Sequence, residues 1–199
     1  MPSQNNLVWI DLEMSGLEVE TDTILEIATI VTDSQLKVID EGPELVISQP
    51  DEVLDGMDEW NTRHHGASGL TEAVRESELT MKAAERQTLD FIARHCHRDT
   101  APLCGNSVWQ DRRFLAKYMP KLEAYLHYRI IDVSSVKEVV RRWYPDDVSP
   151  PSKQQSHRAL DDIRDSIREL RYYRSEVFVP PGGEAEVGES EDTTEDGQK

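Results

Sequence analysis

Cysteine, long apolar runs and a leader segment are scarce or missing in this sequence. Its two cysteines, Cys96 and Cys104, do not form a CxxC pair, so we expect buried reduced thiols without a disulfide scaffold. No stretch reaches the roughly 18 consecutive apolar residues of a membrane helix. The first six residues, MPSQNN, lack the basic and apolar parts of a signal peptide. These absences predict a cytoplasmic protein that does not enter the membrane.

Positive charge is also scarce, because 22 lysines and arginines stand against 39 acidic residues, for a net charge of −17. Residues 181–199 hold seven of these acids, one lysine and few apolar residues. This composition predicts a disordered acidic tail that follows a single domain over residues 1–180. A protein that follows a long nucleic acid needs a basic stripe on its surface. None is visible, so a nucleic-acid substrate would have to be short.

The order of periodic segments predicts one α/β domain. The segments LVWIDLEM, TILEIATIVTD and LKVIDEGPELVIS predict an antiparallel strand meander, with the third segment broken at Gly42-Pro43. EVLDGMDEW predicts a short helix, NTRHHGASGL a loop, and residues 80–96 a helix that begins at a Thr80 cap. APLCGNS and RIIDV predict two further strands between helices, and HRALDDIRDSIRELRYYR a long final helix. Together they predict a mixed sheet flanked by helices.

Two acids interrupt the first apolar strand. Asp11 and Glu13 lie two residues apart, so their side chains point to the same face of the strand. Buried carboxylates are costly, and they take up a proton unless other groups compensate their charge. An edge strand with both acids in water would avoid that cost, and the pattern alone leaves this alternative open.

Three further residues could join this pair. Asp111 lies early in a helix that follows a strand and a turn, while His157 and Asp162 lie where the final helix begins. Each has a plain structural alternative, since the helix dipole favours Asp in a first turn, as it does for Asp161, and a His there is commonly a surface or capping residue. Together, however, four carboxylates from separate segments suit Mg²⁺ or Mn²⁺. Two such ions about 3.5–4 Å apart support in-line phosphoryl displacement, with a His as general base.

The same residues resemble the signature of a known family. Asp11-x-Glu13, Asp111, and His157 followed five residues later by Asp162 resemble the DEDDh 3′→5′ exonucleases, which have an RNase H-like fold. The stretches WIDLEMSGL, ILEIATIVTD, GNSVWQDRRFL, IIDVSS and HRALDDIRDSI resemble the oligoribonuclease branch, over about residues 7–179. The resemblance implies an exoribonuclease that completes RNA degradation. It would hydrolyse very short RNA, chiefly dinucleotides such as the pGpG left by cyclic di-GMP breakdown, to 5′-mononucleotides.

The resemblance also implies a chemical role for each matched residue. Asp11 would bridge two divalent ions, Glu13 and Asp162 would complete one of the two sites, and Asp111 would help through water. His157 would be the general base. The five-residue spacing selects Asp162 over Asp161, and residues 161 and 162 point about 100° apart on a helix, so they cannot serve the same metal equally.

Substrate contacts are implied by the same resemblance. Leu17 would be a wedge between two bases, Trp60 a stacking partner near His65, and Ser107 a neighbour of the phosphates. The cap on the substrate's 5′-phosphate would come from the other subunit of a homodimer, through Tyr128, Arg129 and Ser134. Without the family, Trp60 could equally be a core residue and Arg129 a strand-edge charge.

Two other functions are left open by the residues. A DEDDh exonuclease for tRNA or DNA 3′ ends would act on long substrates and would need a basic track. A binding protein without activity would hold a divalent ion in the acidic cluster and recruit a partner through the acidic tail. It would bind metal without turnover.

Overall fold

A computed structural model of the chain describes residues 2–144, 148–150 and 158–178. The strands are β1 (Leu7–Met14), β2 (Ile24–Thr32), β3 (Val38–Val46), β4 (Pro102–Gly105) and β5 (His127–Asp132). The helices are α1 (Asp51–Asp55), α2 (Glu59–Ala67), α3 (Leu70–Glu76), α4 (Met81–Ala93), α5 (Trp109–Tyr118), α6 (Pro120–Glu123), α7 (Val133–Trp143) and α8 (Ala159–Glu176). The predicted tail over 181–199 and His157 lie outside the described residues.

The five strands form one mixed sheet in the order β3-β2-β1-β4-β5. β1 pairs antiparallel with β2, and β2 pairs antiparallel with β3, so the predicted meander is confirmed. β4 runs parallel to β1, and β5 runs parallel to β4. Because parallel neighbours end at the same edge of a sheet, the carboxyl ends of β1, β4 and β5 meet there. The α/β fold class predicted from the sequence is confirmed.

Apolar side chains cover both faces of the sheet. Val8, Ile10 and Leu12 of β1 join the core on the side of α4 and α5. Trp9 points to the opposite side, where Ile163 of α8 belongs to the same core cluster. Asp11 and Glu13 share the Trp9 face, because side chains alternate along a strand. The two acids therefore face α8, and the alternative of a water-exposed edge strand is wrong.

The third segment is one strand, so Gly42-Pro43 does not end it, but the pairing of β3 with β2 is irregular there. β3 is an edge strand, where proline can be accommodated without the loss of a ladder hydrogen bond. The Phe91 ring packs so closely on Gly42 that a Cβ atom there would stand 2.7 Å from the ring. Gly42 and Pro43 are thus explained by the packing of α4 and by the edge position of β3. A Gly-Pro pair looks the same in a sequence whether it has this role or marks a turn.

The predicted loop NTRHHGASGL is also wrong, since most of it forms α2 and the start of α3. Asp58 caps α2, with its carboxylate accepting from the Asn61 amide at 2.7 Å. Gly69 adopts a left-handed φ of 77° between the two helices, a conformation that costs glycine little. The glycines therefore separate two helices here and do not mark an extended loop.

Three further predictions concern the cysteines, the cap of α4 and membrane-spanning segments. Cys96 and Cys104 are both buried and unpaired, as predicted. The predicted Thr80 cap is confirmed, because its side chain accepts from the Ala83 amide. Among the described residues, no helix combines the length and the apolar character that crossing a bilayer would take.

Candidate active site

The carboxylates of β1 and α8 meet at one place. Asp11, Glu13 and Asp162 each offer an oxygen atom, and these atoms all lie within 4.8 Å of one another. Asp11 stands opposite Ala28 of β2, whose methyl group leaves space on this face, and Glu13 stands opposite Glu26. We call Asp11, Glu13 and Asp162 the acidic cluster. The structure thus brings together three of the four predicted carboxylates.

The strand register shifts immediately after Glu13. The ladder between β1 and β2 is irregular between Glu13 and Met14, and such irregularities commonly occur beside active sites, where they re-aim side chains. The Met14 carbonyl is contacted at 2.9 Å by Nε2 of the buried His65. The other ring nitrogen of His65 lies 3.8 Å from the Glu13 carboxylate. His65 of α2 therefore lies directly beside the acidic cluster.

The first turn of α8 separates its two neighbouring aspartates. Asp162 points to the acidic cluster, whereas Asp161 pairs with Arg164 at 2.9 Å. Arg164 in turn contacts Glu41 of β3 at 2.7 Å, and all three side chains are well exposed. The preference for Asp162 over Asp161, predicted from the spacing, agrees with this placement.

Asp111 contacts the backbone of β1 between the two acids of that strand. It is buried in the first turn of α5, and its Oδ1 accepts from the Leu12 amide at 3.0 Å. Leu12 lies between Asp11 and Glu13, so this bond attaches α5 to the strand segment that carries both acids. Burial, followed by the charge of Asp132, raises the pKa of Asp111 to about 7, while the bond to Leu12 acts in the opposite direction. Asp111 does not share the close oxygen group of the acidic cluster.

Among the described residues, most of the charges that act on Glu13 are negative. Burial is the largest cause that raises the pKa of Glu13 to about 8, and the charges of Asp162, Glu26 and Asp111 add to it. The positive charge of Arg158 offsets part of this effect. A divalent cation would supply the missing positive charge, and carboxylate oxygens are the ligands that Mg²⁺ and Mn²⁺ prefer. The residues present therefore fit a divalent metal.

An open cavity of about 580 Å³ lies beyond the end of β1, and its lining begins at Ser15, two residues after Glu13. Leu17 and Trp60 line it, and their side chains are 64% and 53% exposed, which is unusual for large apolar residues. The Trp60 ring stacks on His64 at 3.8 Å, so His64 and not His65 is its aromatic neighbour. The alternative of Trp60 as a core residue is wrong. Exposed apolar surfaces of this kind suit the flat faces of nucleobases.

Ser107 and Ser134 form one polar group at the carboxyl ends of β4 and β5. The Ser107 amide donates to the Ser134 hydroxyl at 3.0 Å and to Asp132 at 3.1 Å. Ser107 has a left-handed φ of 52°, a strained conformation that these bonds hold in place. Asn106 accepts from the Ser134 hydroxyl and donates to Ser166 of α8. Ser134 lies beside Ser107 of the same chain, because β4 and β5 are parallel neighbours. Its assignment to a cap from a second subunit stays a prediction.

Tyr128 and Arg129 lie elsewhere on β5. They are the second and third residues of β5, about 10–13 Å along the strand from Asp132, which contacts Ser107. Tyr128 is 71% exposed, and the Arg129 guanidinium stands 5.2 Å from its ring centre. Within one chain, these two residues are therefore not brought to the Ser107 group. His157 lies outside the described residues, so its role as general base stays a prediction.

Sequence reasoning missed two residues that contact this site. Glu26 is fully buried in β2, opposite Glu13, and Arg158 immediately precedes α8 and pairs with Glu26. A signal for Glu26 was present, because it is the single charged residue in an otherwise uncharged strand, ILEIATIVT. No comparable signal marked Arg158, since arginine near a helix start is ordinary.

Sequence comparison identifies close relatives. An exonuclease family profile, RNase_T, matches residues 8–170. The chain is 58% identical over 178 residues to an oligoribonuclease from Marinobacter nauticus, with 89% of this chain and 99% of the relative covered. It is also 58% identical over 176 residues to an oligoribonuclease from Alcanivorax borkumensis, with 88% and 97% covered.

Solved structures share the fold at lower identity. E. coli exonuclease I in a complex with single-stranded DNA has a TM-score of 0.69 at 15% identity, over 87% of this chain. Exonuclease I from Methylocaldum szegediense has a TM-score of 0.67 at 18% identity, over 86% of this chain. This chain spans 41% of each of those chains. At such identities the likeness shows the fold alone, and that fold is the α/β exonuclease fold.

Proposed function

This chain belongs to the oligoribonucleases of the RNase_T exonuclease family, and from that premise we propose that it hydrolyses RNA fragments of two to a few nucleotides. It would remove 5′-mononucleotides from the 3′ end, with dinucleotides, including pGpG, as chief substrates. The observation that supports this best is the acidic cluster of β1 and α8, together with the cavity of exposed Leu17 and Trp60 whose lining begins two residues after Glu13.

Divalent metal would be held by the acidic cluster. Asp11, Glu13 and Asp162 would be the direct ligands of two ions, Mg²⁺ or Mn²⁺, while Asp111 would act through water. When bound, such ions stabilise the charge of a phosphate under attack and make water nucleophilic at neutral pH. The Leu12 amide donates to the Asp111 carboxylate, and this bond keeps the Asp111 side chain against β1. His157 would take the proton from the attacking water.

Substrate length would be limited by the shape and charge around the cluster. Leu17 and Trp60 offer apolar contact for bases, and stacking on aromatic side chains contributes about 1–3 kcal/mol per base. Ser107 and Ser134, both within one chain, would contact the phosphates. His65 lies behind Glu13, and burial lowers its pKa, so it would stay neutral and fix the local geometry near neutral pH. The acidic surface offers no long basic track, which disfavours long RNA.

A homodimer would complete the site. β5 is an edge strand, and its first residues carry the exposed Tyr128 and Arg129. The neighbouring helix α7 exposes Val139 and Trp143, and Trp143 is 76% exposed, around an apolar groove of about 420 Å³. An apolar face of this kind beside an unpaired strand edge suits a second copy. Tyr128 and Arg129 would then reach the 5′-phosphate in the partner's site, in a cytoplasmic enzyme.

A length series tests this function. RNA of two, three, five and twenty nucleotides, labelled at the 5′ end, is incubated below saturation with Mn²⁺ or with a chelator. We expect the dinucleotide to be cleaved fastest, and the chelator to abolish cleavage. Equal or faster degradation of the 20-mer would contradict the short-substrate proposal and favour a nuclease for longer 3′ ends. Metal binding without turnover at any length would favour a binding protein.

A further inference from the structure

A buried ion pair joins β2 to the beginning of α8. Glu26 has no solvent exposure; its Oε1 accepts from Nη2 of Arg158 at 2.5 Å and its Oε2 accepts from Nε at 3.2 Å. This is the two-pronged arrangement that makes arginine–carboxylate pairs both strong and directional. Arg158 also contacts Glu44 of β3 at 3.2 Å. The side chain at the helix start is therefore attached to two strands of the sheet.

Glu26 also serves as a cap for α8 from outside the helix. No side chain at the residue before α8 caps its first amides. Instead, the Ala159 amide donates to Oε2 of Glu26 at 3.3 Å. The first amides of a helix lack partners within the helix, and a carboxylate there also interacts favourably with the helix dipole. Glu26 thus holds the first turn of α8 through both a side chain and a backbone group.

Asp162 depends directly on this attachment. Its amide donates to the Arg158 carbonyl at 3.1 Å, which closes the first helical turn. Ala159 and Leu160 of the first turn pack in the same apolar cluster as Ile163 further along the helix. The polar bonds of Glu26 and Arg158 add to these contacts and are directional, so they fix how the first turn is oriented. Because Glu26 is the cross-strand neighbour of Glu13, the ion pair also lies beside the acidic cluster.

We infer that Glu26 and Arg158 are positioning residues of the acidic cluster. Their buried ion pair caps the first turn of α8 and sets the distance of the Asp162 carboxylate from Asp11 and Glu13. This inference rests on the proposed function in one respect, since it takes the cluster to be the metal site. Groups that orient metal ligands commonly change metal affinity or activity by about 10- to 100-fold when they are removed.

Two conservative variants test the pair. Glu26→Gln keeps the shape of the side chain and removes its charge. Arg158→Lys keeps the positive charge and removes the paired hydrogen bonds that the guanidinium donates to Glu26. The control is Arg164→Gln, on the same helix, which removes an exposed pair to β3 that lies away from the cluster. The measurements are kcat and KM for a 5′-phosphorylated dinucleotide, and the Mn²⁺ concentration at half-maximal rate.

We expect kcat to fall and the half-saturating Mn²⁺ concentration to rise by about 10-fold in Glu26→Gln, and by less in Arg158→Lys. KM should stay within about two-fold, because neither residue lines the cavity of Leu17 and Trp60. Arg164→Gln should match the wild type. A merely structural pair would lower the melting temperature and leave kcat and Mn²⁺ dependence unchanged in the folded protein, which would overturn the inference. If Glu26→Gln does not fold, Arg158→Lys decides between the same two results.

Mn²⁺ binding without RNA separates this inference from the proposed function. If the wild-type protein binds Mn²⁺ but hydrolyses no dinucleotide, the proposed function fails. Calorimetry with Mn²⁺ alone then still tests the pair, because weaker binding by Glu26→Gln than by Arg164→Gln supports positioning. Equal binding by the two variants overturns it.

Discussion

Glu13 and Glu26 face each other across β1 and β2, yet their surroundings differ in one respect. Glu26 is fully buried and receives two bonds from Arg158 and one from the Ala159 amide. Glu13 is partly buried, has a buried histidine 3.8 Å away and stands among Asp11 and Asp162. The sheet thus places two carboxylates side by side, one paired with an arginine of the same chain and one surrounded mainly by other carboxylates.

This difference indicates that Glu26 has a structural role, whereas Glu13 has a chemical one. Breaking a buried ion pair leaves an uncompensated charge, which destabilises a fold, so Glu26 is matched with a fixed cation of its own. The acidic cluster, in contrast, would bind a divalent cation reversibly from solution. The fold therefore carries an unfavourable concentration of charge where a metal would bind, and it is anchored by a compensated pair one strand away.

The largest expected effect is the loss of activity in Glu13→Gln. The substitution removes a proposed metal ligand and keeps the side-chain shape, so dinucleotide hydrolysis should fall on the order of 1,000-fold, well beyond the fall expected for Glu26→Gln. Glu41→Gln, which changes an exposed glutamate of the neighbouring β3, serves as the control and should keep wild-type activity. Rates of pGpG hydrolysis with saturating Mn²⁺ provide the measurement. If the rate of hydrolysis falls no further in Glu13→Gln than in Glu26→Gln, the assignment of Glu13 as a metal ligand and Glu26 as a supporting residue is contradicted.

A smaller effect concerns stability without metal. The pKa of Glu13 is raised from 4.5 to about 8, so the folded state binds a proton more tightly than the unfolded state does. The resulting stabilisation is fully present below about pH 4.5 and is lost as the pH rises through about 8. In chelator, we expect the free energy of unfolding to fall on the order of 3 kcal/mol between pH 5 and pH 8.5 because of this group.

Denaturant unfolding at several pH values measures this slope. Glu13→Gln should flatten it, Glu41→Gln should retain it, and saturating Mg²⁺ should reduce it, because the cation replaces the proton. An identical slope in wild type and Glu13→Gln would show that the negative charge at the cluster is already compensated.

Much of the site could be predicted from local spacing. Asp11 and Glu13 share a face because strand side chains alternate, an argument that needs only the type of element, and the structure agrees with it. The choice of Asp162 over Asp161 came from the family's spacing after His157; helix geometry added only that the two side chains point about 100° apart. The first two strands were predicted from apolar runs of strand length. Such features depend on periodicity, which a single sequence displays.

Features that depend on tertiary contacts were beyond these arguments. The Gly42-Pro43 strand was predicted to break, because the sequence does not show the Phe91 ring that packs on Gly42. The α2 segment has a weak apolar pattern, and the contact of His65 with Met14 cannot be read from spacing. The pairing of β4 with β5 brings Ser134 to Ser107 within one chain, a contact that spacing does not display. The Glu26–Arg158 pair spans 132 positions, and no local pattern predicts such a partner.

The central claim is that the acidic cluster is a divalent metal site, and two adjacent aspartates of α8 test it most directly. Calorimetric titration with Mn²⁺, without RNA, compares the wild type with Asp162→Asn and Asp161→Asn. Asp162→Asn should weaken Mn²⁺ binding by at least about 10-fold, because its carboxylate points to the acidic cluster. Asp161→Asn should bind as the wild type does, because its partner is the exposed Arg164. Equal affinity in the two variants would contradict the metal site.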